Sequence, residues 1–97
     1  MPNTPASIGM GVSALTPNKL VVDEDKAITE SVFSSVGLTC WLDESAFDLF
    51  TALLSSGPAY IFYLIEALQQ AAKGLNLDEG ITKELITEMI KIGRAHV

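Results

Sequence analysis

Cysteine is nearly missing from this sequence: Cys40 stands alone among 97 residues. One thiol closes no internal disulfide, so nothing in the chain calls for an oxidising compartment. Basic residues are scarce, six Lys and Arg against twelve Asp and Glu, for a net charge of -6. A phosphate backbone needs a basic face, which argues against nucleic acid as a partner. Lys19, Lys26, Lys73, Lys83, Lys91 and Arg94 are dispersed, so no basic run is offered to an anionic membrane. Long apolar runs are also missing. The most apolar stretch, from Pro58 to Leu68, is interrupted by Glu66, and no stretch reads as long enough to span a bilayer. The N-terminus has no positively charged region followed by an apolar one, so no secretory signal is read there. Cytoplasmic location is the resulting expectation. A catalytic triad, paired catalytic carboxylates and a metal-ligand motif are all missing, and no metal is expected.

What is present is 48% hydrophobic residues, enough for one folded domain of small margin. Residues 1–19 are rich in Pro, Gly, Ser, Thr and Asn, and Pro2, Pro5 and Pro17 forbid a continuous helix. Met10 to Leu15 alternates large apolar and small residues and reads as a short strand. Asp23 reads as an N-cap, with Glu24 and Asp25 in the positive first turn. Ile28, Val32 and Val36 share one helical face, and Gly37 reads as the C-terminal glycine. Leu38 to Leu42 reads as a second strand. Asp43 can cap the next helix, whose surface is mostly covered by residues such as Phe47, Phe50 and Leu54. Gly57-Pro58 breaks the pattern, and Pro58 opens a new helix running to about Lys73, before Gly74. Glu66, Gln69, Gln70 and Lys73 form its one polar stripe. A helix apolar around most of its girth must be buried on several sides, so a partner surface is expected. Asp78 caps a last helix whose apolar face runs from Ile81 to Ile90. The coarse fold class is α+β and mostly helical: two short strands, then long helices, with a boundary near Asp43.

The motifs occur in a recognisable order. Met1-Pro2-Asn3-Thr4-Pro5 is followed by the Gly-x-Gly run of Gly9 to Leu15, then by Phe33-Ser34-Ser35-Val36-Gly37 and Trp41-Leu42-Asp43-Glu44. Thr51-Ala52-Leu53, Ser56-Gly57-Pro58-Ala59-Tyr60 and Ile65-Glu66-Ala67-Leu68 complete the series. In that order and spacing, residues 1 to about 91 resemble pyrroline-5-carboxylate reductases. The resemblance implies an internal fragment: residues 1–43 from the C-terminal part of a Rossmann-type nucleotide-binding domain, and 44–91 from the start of an all-α dimerisation domain. The glycine-rich phosphate loop of such a domain has no counterpart after a strand here. Met1 falls where the family has an internal methionine. Residues 92–97, Ile92-Gly93-Arg94-Ala95-His96-Val97, resemble one reading frame of a sequencing adapter. Truncation at both ends is therefore expected, with 92–97 a non-native tail and His96 without a role.

The implied activity is hydride transfer from NADPH or NADH to the C=N carbon of 1-pyrroline-5-carboxylate, giving proline, by a homodimer or higher homo-oligomer. The isolated fragment is expected to be inactive, weakly stable and self-associating. Asn3 and Thr4 are implied to lie near the nicotinamide, where an amide offers both donor and acceptor; read alone, Asn3-Thr4-Pro5 is more readily a turn signal. Ser56 and Gly57 are implied to bind substrate, with free N–H groups at a helix start suited to a carboxylate; read alone, they are equally an ordinary helix junction. Where the family has Ser-Gly-Ser-Gly-Pro, this chain has Leu54-Ser55-Ser56-Gly57-Pro58, so no role of the first Ser passes to Leu54. Glu66 reads as part of a solvated stripe rather than a site group. Cys40 reads as a buried core thiol, and Tyr60, Phe62 and Tyr63 as packing residues. No catalytic side chain is assigned. Two other readings remain open. One is a relative of the hydroxyacid dehydrogenases, disfavoured because no Lys lies between Asp43 and Gln70. The other is a small helical interaction module.

Overall fold

The computed structural model describes residues 1–95, so His96 and Val97 lie outside the described residues. The described chain divides into two compact units, Met1–Pro58 and the residues from Ala59 onward.

In the first unit a short 3-10 helix, Thr4–Ile8, ends at Gly9 in the left-handed region (φ 74°). Strand β1, Gly11–Leu15, then runs into helix α1, Asp23–Ser34, and strand β2, Gly37–Trp41. The two strands pair in parallel, Gly11 opposite Gly37 through Leu15 opposite Trp41. A parallel pair needs a crossover, and α1 supplies it. The free edge of β1 is covered by the N-terminal segment. Met1 and Ala14 exchange two hydrogen bonds, of 2.8 and 3.0 Å, and Met10 N–H donates to the Pro5 carbonyl at 3.0 Å. The small core holds Ala14 and Leu15 of β1 and Phe50.

Both strands lie where the sequence places them, to within a residue. The helix caps differ. Asp23 is the first helical residue and Val22 occupies the cap position; Asp25 accepts from the Val22 N–H at 3.2 Å. That bond satisfies the amide preceding the first turn, leaving Asp23 to act only through its charge. Gly37 does not close α1, which ends at Ser34 with Ser35 at the cap position; it opens β2 with φ 152°. Glycine is required there by crowding, because a Cβ on Gly37 would overlap the backbone of Gly11. Ile28 and Val32 remain more than half exposed. Trp41 meets the other side of α1: its indole N–H donates to Glu30 at 3.4 Å and Lys26 lies 6.0 Å from the ring. Cys40 is half-buried rather than a core residue.

The largest departure follows Asp43, which sits at a cap position without a side-chain cap bond. A 3-10 turn, Glu44–Ala46, leads into a short helix α2, Phe47–Phe50, and then a π-helical turn, Thr51–Ser55. Ser56 N–H donates to the Thr51 carbonyl at 3.0 Å, the i to i+5 spacing of a π turn. Helix α3, Gly57–Ala71, follows at once. Gly57-Pro58 therefore does not break the helical path: proline lacks an N–H, and the wider turn before it accommodates the missing bond. The helical run Glu44–Leu75 is consequently long and apolar enough to cross a membrane by length and composition, correcting the expectation that no stretch reaches that length. Such a run also occurs as a core helix of soluble proteins, so it is weak evidence for a membrane.

In the second unit α3 continues into a 3-10 turn, Ala72–Leu75, which ends at Asn76 (φ 55°). Asn76, not Gly74, supplies the left-handed stop, a conformation that asparagine tolerates. Helix α4, Glu79–Ile90, begins at Asp78 as predicted, and its carboxylate accepts from Gly80 and Ile81 N–H at 3.0 and 3.3 Å. A one-turn helix α5, Ile92–Ala95, follows. Only Thr82 and Ile86 of α4 are buried. Tyr60, Phe62, Tyr63, Ile81, Leu85 and Met89 are about half exposed or more.

Candidate functional site

The residues singled out near the start of the chain and those near Gly57 meet in the first unit. Asn3 makes the connection, through both ends of its amide. Its Oδ1 accepts from the Val12 N–H at 2.9 Å. Its Nδ2 donates to the Ser55 carbonyl at 3.4 Å, across 52 residues of sequence. The first bond continues the pairing that Met1 and Ala14 begin, with a side-chain oxygen standing where a neighbouring strand would offer a carbonyl. The second fixes the end of the π turn against the start of the chain. One Nδ2 hydrogen of Asn3 has no partner within these two bonds.

Thr4 is exposed and begins the 3-10 helix. Ser56 is exposed and Gly57 half-buried. The expectation of free N–H groups at a helix start fails for Ser56, whose N–H is taken by Thr51; the preceding π turn makes this point a continuation and not a beginning. Pro58 has no N–H to offer. Chemistry at Ser56 therefore belongs to its hydroxyl. A Cβ on Gly57 would meet nothing within 4 Å, so open space lies on that side of the backbone.

The sequence marked Ser55 only as a serine standing where the family has a glycine, and gave it no role. Its hydroxyl oxygen is sequestered from solvent without a hydrogen-bond partner, although its carbonyl accepts from Asn3. The signal was present as the replacement of a family glycine by serine, but only the fold shows that the added hydroxyl is stranded. A π turn with an unsatisfied polar atom is a feature frequently found at functional sites.

Two clefts lie elsewhere. One of about 820 Å³ borders Trp41, Lys26, Glu30 and Asp43 in the first unit. The other, of about 500 Å³, is lined in the second unit by the polar stripe Glu66, Gln69, Gln70 and Lys73 together with Thr82 and Lys83 of α4. Neither is lined by Asn3, Thr4, Ser56 or Gly57. Glu66 is exposed on its stripe. No group of three or more His, Cys, Asp or Glu that could hold a metal ion occurs among the described residues.

A parallel β-α-β unit leading into apolar, largely uncovered helices defines the expected α+β, mostly helical class, with a helical part shaped for further packing. The family follows from comparison. A family model for pyrroline-5-carboxylate reductase dimerisation matches residues 44–96. The pyrroline-5-carboxylate reductase of Pasteurella multocida is 39% identical over 97 residues, covering 98% of this chain and 34% of that protein. The structure of the 1-pyrroline-5-carboxylate reductase of Streptococcus pyogenes superposes with a TM-score of 0.90 at 37% identity, over 99% of this chain and 37% of that one. The Plasmodium falciparum pyrroline carboxylate reductase, solved with NADP bound, gives a TM-score of 0.85 at 34% identity, over 94% and 37%. This chain belongs to the pyrroline-5-carboxylate reductase family, and it spans about a third of the length of the curated relatives it matches.

Proposed function

We propose that this chain is part of an NAD(P)H-dependent oxidoreductase that reduces 1-pyrroline-5-carboxylate to L-proline in the cytoplasm. Residues 1–43 are the C-terminal part of its nucleotide-binding domain, and 44–91 the first part of its helical dimerisation domain. The isolated chain is inactive, because the glycine-rich pyrophosphate loop and the remaining helices lie outside it. The observation that carries this reading is the Asn3 to Ser55 hydrogen bond, which joins the segment assigned to the cofactor with the one assigned to the substrate.

Asn3 and Thr4 hold the nicotinamide end of the cofactor. The exposed Thr4 hydroxyl and the spare Asn3 amide hydrogen fit a carboxamide, which needs one donor and one acceptor. The rest of the dinucleotide finds no cradle in this chain. When bound, the reduced nicotinamide supplies the hydride. Ser56 binds the substrate carboxylate through its exposed hydroxyl, and Gly57 leaves room for the ring beside the backbone. Binding both reactants within one unit converts the encounter into an oriented one, which is the protein's main contribution to such a reaction. A protonated imine accepts hydride without a strong general acid, which fits a site without a catalytic carboxylate or histidine. The exposed apolar faces of α3 and α4 are covered by a second copy, making a homodimer or a higher homo-oligomer.

The test is a chimera. Residues 1–91 of this chain replace the matching third of the Streptococcus pyogenes enzyme, and proline formation is followed by NADPH oxidation. Turnover within about a hundredfold of the parent supports the reading. A folded, oligomeric chimera that binds NADPH but forms no proline refutes it.

A further inference from the structure

We infer that Asn3 is a positioning residue, setting the distance between the cofactor side of the site and the start of α3. The inference rests on the function proposed above and assigns to Asn3 a duty beyond touching the cofactor.

The geometry is that of a staple. Asn3 is half-buried, and its two bonds reach different elements, β1 at Val12 and the π turn at Ser55. The Val12 bond anchors Asn3 to the rigid element of the unit, where Ser13 and Ala14 are almost fully buried. The Ser55 bond then transmits that anchor to a turn whose own hydrogen bonding is irregular. π turns are less regular than α-helix and more easily shifted. Ser56, one residue on, owes the placement of its hydroxyl to this turn. The Asn3 to Ser55 bond ties the two segments across 52 residues of sequence. Asparagine is the residue that meets both demands, with an acceptor for an N–H and a donor for a carbonyl on one planar group. Asp keeps only the acceptor, and Ala keeps neither.

That difference gives the experiment. In the 97-residue chain, amide hydrogen exchange is measured at Val12 and Ser56 for Asn3→Asp and Asn3→Ala. Asn3→Asp leaves Val12 protection intact and speeds exchange at Ser56 by about fivefold, the worth of one ordinary hydrogen bond. Asn3→Ala speeds both. Exchange at Ser56 that moves in neither variant overturns the inference. In the chimera, Asn3→Asp loses the amide hydrogen offered to the cofactor as well as the Ser55 bond, so kcat falls by about tenfold while KM for NADPH rises by about fivefold. A rise in KM for NADPH at unchanged kcat overturns positioning in favour of a simple cofactor ligand. Unchanged kinetics in both variants overturns it in favour of a merely structural role. If the unsubstituted chimera is inactive yet Ser56 exchange responds as stated, the proposed activity fails while the coupling stands.

Discussion

Replacing Gly37 by alanine tests the parallel pairing on which the first unit is built. Gly37 is the first residue of β2, directly opposite Gly11, with φ 152°. Two costs follow from adding one methyl group. A non-glycine residue at such a φ costs on the order of 1 to 3 kcal/mol. The Cβ also falls on the carbonyl oxygen, carbonyl carbon and nitrogen of Gly11. These are backbone atoms that cannot rotate away, so the strands must part at their first pair, adding roughly 1 to 3 kcal/mol of overpacking. Gly11 has little room to retreat, since its own Cβ position lies 3.0 Å from Ala6 atoms on the other side. The sum is about 4 kcal/mol, most of the stability that a domain with so few buried side chains holds. The assay is urea unfolding followed by far-ultraviolet circular dichroism, with Gly74→Ala as the control. A Cβ on Gly74 meets nothing within 4 Å, and that variant should stay within about 1 kcal/mol of the parent. A Gly37→Ala chain that unfolds within about 1 kcal/mol of the parent would refute the crowding argument and the register with it.

Three further outcomes are expected. Ser55→Ala removes a hydroxyl that has no partner, so stability should be unchanged or rise by up to about 1 kcal/mol, read as the urea midpoint; a loss above that would mean the hydroxyl has a partner in solution. Asp78→Ala removes the bonds to Gly80 and Ile81 N–H and should cost about 1 kcal/mol, visible as faster amide exchange in the first turn of α4 with β1 and β2 unaffected. Tyr63 is 76% and Phe62 65% exposed on α3; Phe62→Glu with Tyr63→Glu should shift the chain towards monomer in analytical ultracentrifugation, and an unchanged mass would show that association, if any, uses another surface.

Local rules read from the residues succeed where the cause is local. Alternation of apolar and small residues located β1, a short apolar run holding Thr39 and Trp41 located β2, and an aspartate before an amphipathic run located the start of α4. They fail where a distant atom decides. Gly37 looked like a helix terminator because it follows α1, yet its glycine is demanded by Gly11, 26 residues earlier in sequence. Asn3 does open a turn, its carbonyl accepting from the Ala6 N–H, but nothing local shows that its amide reaches Val12 and Ser55. Gly57-Pro58 looked like a break, and a widened turn carried the helix through it.

The helix after that turn shows the limit most clearly. Apolar residues around most of the girth of α3 give no single face, so periodicity cannot assign a direction of burial. The structure leaves Tyr60, Ile61, Phe62, Tyr63 and Leu64 all near half exposed or beyond, consistent with a helix that needs cover on more than one side. Apolar surface is costly to leave in water, at about 25 cal/mol for each Å², and large contiguous apolar patches mark interaction surfaces. The dimerisation family matched over residues 44–96 gives that surface a reason. The same hydrophobicity that made α3 the least interpretable helix in the sequence is the property that a subunit interface requires.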